Sequence, residues 1–131
     1  MAMEISHIWL GKFPTKKEYL DYMEEIYTED DDTPINQFSS DQGIISYDTD
    51  WEESFFNDSQ DLKQLISLGS YSKDYIDDVL IDAQNIGIDS ANTFIIIDKN
   101  EIKKPISIKN SNYSLIYLGE YKCDTSVPDF D

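Results

Sequence analysis

Seven consecutive residues, Tyr47-Asp48-Thr49-Asp50-Trp51-Glu52-Glu53, hold four carboxylates and two large aromatic rings. Such a stretch can ligate a hard cation, pair two carboxylates for acid–base work, open a helix, or form an acidic docking face. Asp48, Asp50 and Glu52 have the spacing of the first three ligands of a calcium loop. The sixth position is Glu53 where the turn needs Gly, and the twelfth is Ser59 where a bidentate Glu belongs. The run from Asp30 to Asp41 fails likewise, with Ile35 at its sixth place. Zinc finds one His and one Cys, His7 and Cys123, far apart in the chain. Carboxylate pairs hydrolyse glycosides, but nothing in this stretch marks it for that chemistry. No nucleophile elbow, phosphate loop or dinucleotide fingerprint is present. His7 sits in an alternating apolar segment and reads as a packed side chain rather than a general base. The sequence therefore predicts no catalytic residue, no metal and no cofactor.

Charge points to a partner instead. The chain has 131 residues, 27 of them acidic and 10 basic, for a formal net charge of −17. All the basic residues are Lys, and none falls between Glu18 and Leu62, a window holding fifteen acids. Phosphate neutralisation needs clustered Lys and Arg, so direct nucleic-acid binding is not expected. An anionic membrane surface is disfavoured on the same ground. A basic protein is favoured, because a field of one sign speeds encounter with its opposite. A lone Cys123 in an apolar setting reads as an inert strand thiol and fits a reducing compartment. The N-terminus shows no basic segment followed by an apolar run, and the aliphatic runs are short, so a soluble, cytoplasmic protein is expected.

The elements that must position these groups follow from periodicity. The segment Met3 to Leu10 alternates as a strand, with His7 and Trp9 on one side and Ile8 and Leu10 on the other. Thr15 caps a helix with Glu18 as capping-box partner, and its apolar face is Tyr19, Leu20, Met23, Ile26 and Tyr27. Gly43 to Asp48 reads as a second strand, and Asp50 with Glu53 as the capping box of a short helix through Phe56. Leu62, Leu65 and Ile66 belong to a further short helix. Ser72 caps a helix whose stripe is Tyr75, Ile76, Val79, Leu80, Ala83 and Ile86, closed by Gly87. Thr93 to Asp98 is a buried strand, Ile106 to Ile108 pairs back, and Tyr113 to Tyr121 is a long last strand. The tail from Asp124 to Asp131 is expected to pack loosely. The whole describes one small α+β domain, with a mixed or mainly antiparallel sheet and three to four helices.

The run His7-Ile8-Trp9-Leu10-Gly11-Lys12-Phe13 and the Glu18, Tyr19, Leu20 and Tyr22 helix are followed by Phe38, Asp41-Gln42-Gly43-Ile44, Tyr47-Asp48, Asp50 and Glu52. Leu115 and Tyr117-Leu118-Gly119-Glu120-Tyr121 close the set. In this order and spacing the set resembles the immunity protein 22 family of bacterial polymorphic-toxin and contact-dependent inhibition systems. The resemblance runs from Ile5 to about Tyr121. It implies a small cytoplasmic protein that binds one cognate toxin domain, commonly a nuclease, and performs no chemistry. Nuclease sites attract phosphate and are basic, so an acidic inhibitor suits the same field.

The expected toxin-binding residues are Asp30, Asp31, Asp32, Asp41, Tyr47, Asp48, Asp50, Trp51, Glu52 and Glu53. An alternative surface is the acidic side of the helix after Ser72, with Asp74, Asp77, Asp78 and Asp82. An alternative function is an acidic nucleic-acid mimic that masks basic DNA-binding proteins.

Overall fold

The computed structural model describes residues 3–26 and 33–125. The predicted apolar residue Tyr27, the acids Asp30, Asp31 and Asp32, and most of the acidic tail lie outside the described residues. Five strands form one antiparallel sheet: β1 Met3–Lys12, β2 Glu52–Phe56, β3 Thr93–Asp98, β4 Ile108–Lys109 and β5 Ser114–Asp124. Their spatial order is β2-β3-β1-β5-β4. Four helices accompany them among the described residues: α1 Lys16–Met23, α2 Gln37–Asp41, α3 Leu62–Ile66 and α4 Ile76–Asn85. The α+β reading holds, with all the strand pairing antiparallel.

Both faces of the sheet are covered, so the centre has no solvent side. Every residue of β1 from Ser6 to Gly11 is buried. Ile8 and Leu10 project to one face, with Phe94, Ile96, Tyr121 and Cys123, and meet Leu65 and Ile66 of α3 and Val79 and Ala83 of α4. Trp9 projects to the other face with Ile95, Ile97 and Leu115. There it meets Tyr19 and Tyr22 of α1, Phe38 of α2, and Phe13, Tyr47 and Ile102. Each fully buried Leu, Ile or Phe contributes about 1.5–3 kcal/mol. The alternation read along β1 is thus the division between two cores.

Strand β5 changes parity midway. Ile8 pairs with Gly119 while Trp9 pairs with Tyr117, so Leu118 is an extra residue, a bulge. Gly119 sits there at φ +139, a conformation open to glycine and strained for other residues. Leu115, Tyr117, Tyr121 and Cys123 are all odd-numbered and would share a face in a regular strand. The bulge sends the first two to the aromatic core and the last two to the aliphatic one. Gly11 is needed for close approach: a Cβ there would lie 2.6 Å from the Ser114 carbonyl.

Several elements depart from expectation. Helix α1 starts as read, with Thr15 Oγ1 accepting from the Glu18 N–H at 3.1 Å, but ends at Met23. It buries Tyr19 and Tyr22, and leaves Leu20 and Ile26 exposed. Gly43 to Asp48 is a loop, not a strand. Its Tyr47 is an anchor, its hydroxyl accepting from Asn36 Nδ2 at 2.9 Å, and Gly43 turns the chain at φ +75. The place beside β3 goes to Glu52–Phe56, expected to be helical. There the alternation of Phe55 toward Phe94 against Ser54 and Phe56 on the other face wins over the local capping pattern. Helix α2 was not anticipated; it is one turn closed by a reciprocal box between Asn36 and Ser39. A 3-10 turn, Ser72–Asp74, precedes α4, so Ser72 does not cap the helix directly. Ile86, read as part of the buried stripe, is exposed, while Gly87 turns at φ +85 as expected.

Candidate interaction surface

The lone imidazole is built into the core. His7 lies on the aromatic face of β1, and its Nε2 is 2.8 Å from the Ile102 carbonyl. A carbonyl only accepts, so Nε2 carries the proton and Nδ1 accepts from the Tyr117 hydroxyl at 2.8 Å. Both nitrogens are occupied and the ring is 2% exposed, which leaves no lone pair for a substrate. Trp9 Nε1 donates to the Ile106 carbonyl, and the Gln42 amide makes two reciprocal bonds with the Ile106 backbone. These bonds hold the segment between β3 and β4 against the sheet.

Asp41 belongs to a second such network. Tyr22 and Tyr113 both donate to its Oδ2, at 2.9 and 2.5 Å, and Gln37 Nε2 donates to its Oδ1 at 2.9 Å. Burial, with the facing Asp41 carboxylate, pushes the Tyr22 hydroxyl up and the Tyr113 hydroxyl up to about 12. Both tyrosines stay protonated donors. Three donors satisfy this carboxylate, so it ties α1, α2 and the β4–β5 turn together. Tyr47 is only 8% exposed and packs edge-on against Phe38. Asp41 and Tyr47 are therefore apart from the acids that follow them.

Those acids gather at one end of the sheet. Asp48 accepts from the Asp50 N–H at 3.0 Å and opens a 3-10 turn, Thr49–Trp51. Its own N–H donates to Glu101 Oε1 at 2.7 Å. The turn lifts Trp51 off the sheet, leaving it 50% exposed. Glu53 reaches the other way: Ser70 donates to it through N–H at 2.9 Å and hydroxyl at 2.6 Å. Asp48 is thus turned to the 3-10 turn and Glu52 to the buried face, which is why a calcium-like spacing does not become a calcium-like cluster among the described residues.

Glu52 differs from its neighbours. It shares the aromatic face with Tyr47 and Tyr19, and its Oε1 is buried with no hydrogen-bond partner. Burial raises its pKa above the usual carboxylate range, against the Ser54 hydroxyl, which favours the charged form. Glu25 and Glu53 push the same way as burial.

Topology adds acids that linear reading missed. The end of β3 and the start of β1 place Glu4, Asp98 and Glu101 in the groove beside Trp51, with Met3, Ile5 and Asn100. Lys99 is also there and forms an ion pair with Glu120 at 3.3 Å. The signal available in sequence was the strand-end position of Asp98, without the knowledge that β1 runs antiparallel beside it. The field registers on Cys123, whose thiol is pushed up to about 11 by burial and then by Glu4, Asp74, Glu53 and Asp124. On α4, Asp82 is engaged by the Tyr121 hydroxyl at 2.5 Å, and in the turn before it Asp74 accepts from the Asp124 N–H; Asp77 and Asp78 of α4 are exposed.

Among the described residues, no helix is long and apolar enough to cross a membrane, and no group of three or more His, Cys, Asp or Glu is placed to hold a metal ion. No curated protein and no solved structure matches the chain. One family model does, over residues 6–124, which takes in β1 from Ser6 onward and the other strands and helices described above. A buried frame with an acidic, tryptophan-bearing end is thus the form this chain gives to its family: it belongs to Immunity protein 22.

Proposed function

We propose that this protein neutralises a cognate toxin domain by stoichiometric binding, through the acidic end of the sheet around Trp51, with no turnover of its own. The toxin is basic and of nuclease type. The observation that supports this reading is a half-exposed tryptophan set among Glu4, Asp48, Asp50, Asp98 and Glu101. Aromatic anchors supply desolvated contact area, and acids around them steer a cationic partner and reject others. The contact set centres on Asp48, Asp50, Trp51 and Glu52, with Glu53 supporting the turn; Asp30, Asp31 and Asp32 are included in it on charge alone.

The test is growth of cells expressing the toxin encoded beside this gene, with and without the protein. Wild type restores growth. Asp48→Lys with Asp50→Lys, both at exposed positions, weakens toxin binding about a hundredfold, most of it as slower association at low salt. Equal protection by that variant moves the surface elsewhere, with Asp77 and Asp78 of α4 the next to reverse. Binding of several unrelated basic proteins with like affinity supports the nucleic-acid-mimic alternative instead.

A further inference from the structure

Among the described residues, the edge of β2 is unpaired in a way that the opposite edge is not. The Asn57 N–H donates to the Asn92 carbonyl at 2.8 Å, and the Glu52 N–H turns back to Thr49. Alternation along the strand then aims Glu53 and Phe55 at β3, and aims the backbone of Glu52, Ser54 and Phe56 away from it. Among the described residues, no partner meets the N–H and C=O groups of Ser54 and Phe56 or the carbonyl of Glu52. Strand edges are ordinarily blunted by Lys, Pro or a covering side chain. Glu52–Phe56 has neither Lys nor Pro, and its charges, Glu52 and Glu53, are both negative, so they discourage an acidic strand and admit a basic one.

A second observation lies on the same strand. The Glu52 carboxylate keeps one buried oxygen without a donor. A buried acceptor left unpaired is costly, and natural proteins seldom leave one without a reason. Glu52 is on the open edge strand, beside which a neighbouring strand would run about 4.8 Å away, and its carboxylate lies on the aromatic face next to that edge. Side chains directly across such a pair have Cβ atoms about 4.5–5.5 Å apart, within reach of an ammonium or guanidinium.

We infer that the β2 edge takes an extended segment of the basic toxin as a sixth strand, with a Lys or Arg of that segment donating to Glu52. This rests on the toxin-binding reading above and specifies how the partner docks. Main-chain pairing at Ser54 and Phe56 supplies register, Glu52 selects a cation at one position, and Trp51 covers the end of the added strand. A second copy of this chain is a poor occupant, since each copy carries a formal charge of −17.

Amide hydrogen exchange, read residue by residue by NMR on the full chain, tests the inference. The probe is the toxin domain encoded beside the gene, inactivated at its catalytic residue. Saturation slows exchange at Ser54 and Phe56 by about tenfold or more, and leaves Glu120 and Lys122 on the far edge unchanged. Ser54→Pro removes an outward N–H without touching the inward ladder and raises the toxin Kd about tenfold. Ser54→Ala, which loses only the hydroxyl, changes it by less than about threefold. Unchanged exchange at Ser54 and Phe56 in a saturated complex overturns the added strand while leaving neutralisation intact. Failure to form any complex overturns both. Should Ser54→Pro not fold, the wild-type exchange pattern decides alone.

Discussion

The sheet ends in two edges that are treated in opposite ways. On the far side, β4 covers Ser114 and Leu115, the Ser107 hydroxyl accepts from the Tyr117 N–H, and Asp74 accepts from the Asp124 N–H. Glu120 is paired with Lys99, and Lys122 stands exposed in the strand. A bulge adds twist there. These are devices that stop a strand from accepting a neighbour. Among the described residues the β2 side has no covering strand, no Lys and no bulge; its charges are Glu52 and Glu53, and it carries Trp51 at its start and an unpaired carboxylate oxygen at Glu52. One edge is guarded and the other has no partner among the described residues, which is the contrast that the toxin-docking proposal uses.

Among single substitutions, Trp51→Ala gives the largest expected effect on toxin affinity. Aromatic residues at the centre of an interface cost about 2 kcal/mol or more on truncation, so the toxin Kd rises about thirtyfold by titration calorimetry. Trp51 is half exposed in the free protein, so the thermal midpoint moves little. A large loss of stability with unchanged affinity would make Trp51 a packing residue and remove the contrast between the edges.

Why the sequence revealed some of this and hid the rest is a matter of range. Strand β1 was legible because a two-residue period over Met3 to Leu10 is a local signal, and burial on both faces preserved it. Most of the residues that carry the family likeness are structural. His7, Trp9, Phe38 and Tyr121 are buried; Tyr117 bonds His7, Asp41 accepts from Tyr22, and Gln42 bonds the Ile106 backbone. Asp41 and Tyr47 read as surface because the donors that claim them, Tyr113 and Asn36, come from turns that no spacing rule connects to them. Glu52–Phe56 read as helix because an Asp-x-x-Glu spacing outweighed a five-residue alternation, and only pairing with β3 settles the contest. Glu4, Asp98 and Glu101 were missed for the same reason: antiparallel register gathers them, and register is not written in any one segment.

The far edge supplies the next test. Gly119 sits at φ +139 in the bulge, so Gly119→Ala strains the backbone by about 1–3 kcal/mol. Urea unfolding shows that loss, and toxin affinity of the folded protein stays within about threefold of wild type. An affinity loss as large as that of Trp51→Ala would mean that the toxin reads the guarded edge, and the two edges would have exchanged roles.

The smallest effect separates binding from stability at a single residue. Burial holds the Glu52 carboxyl above its usual pKa, so the folded chain binds that proton more tightly than the unfolded chain. Stability therefore falls as pH rises from the usual carboxylate value through the raised one, and the full penalty persists at neutral pH. Glu52→Gln removes the charge while keeping the shape. Its thermal midpoint at pH 7 lies above that of wild type by an amount worth about 1 kcal/mol, and the difference closes as pH falls below the usual carboxylate range. Toxin affinity moves the other way, because the incoming cation loses its counter-charge. A variant less stable at pH 7 than wild type would show that Glu52 already has its partner within the fold, and the bare edge would lose its one charged reason to be occupied.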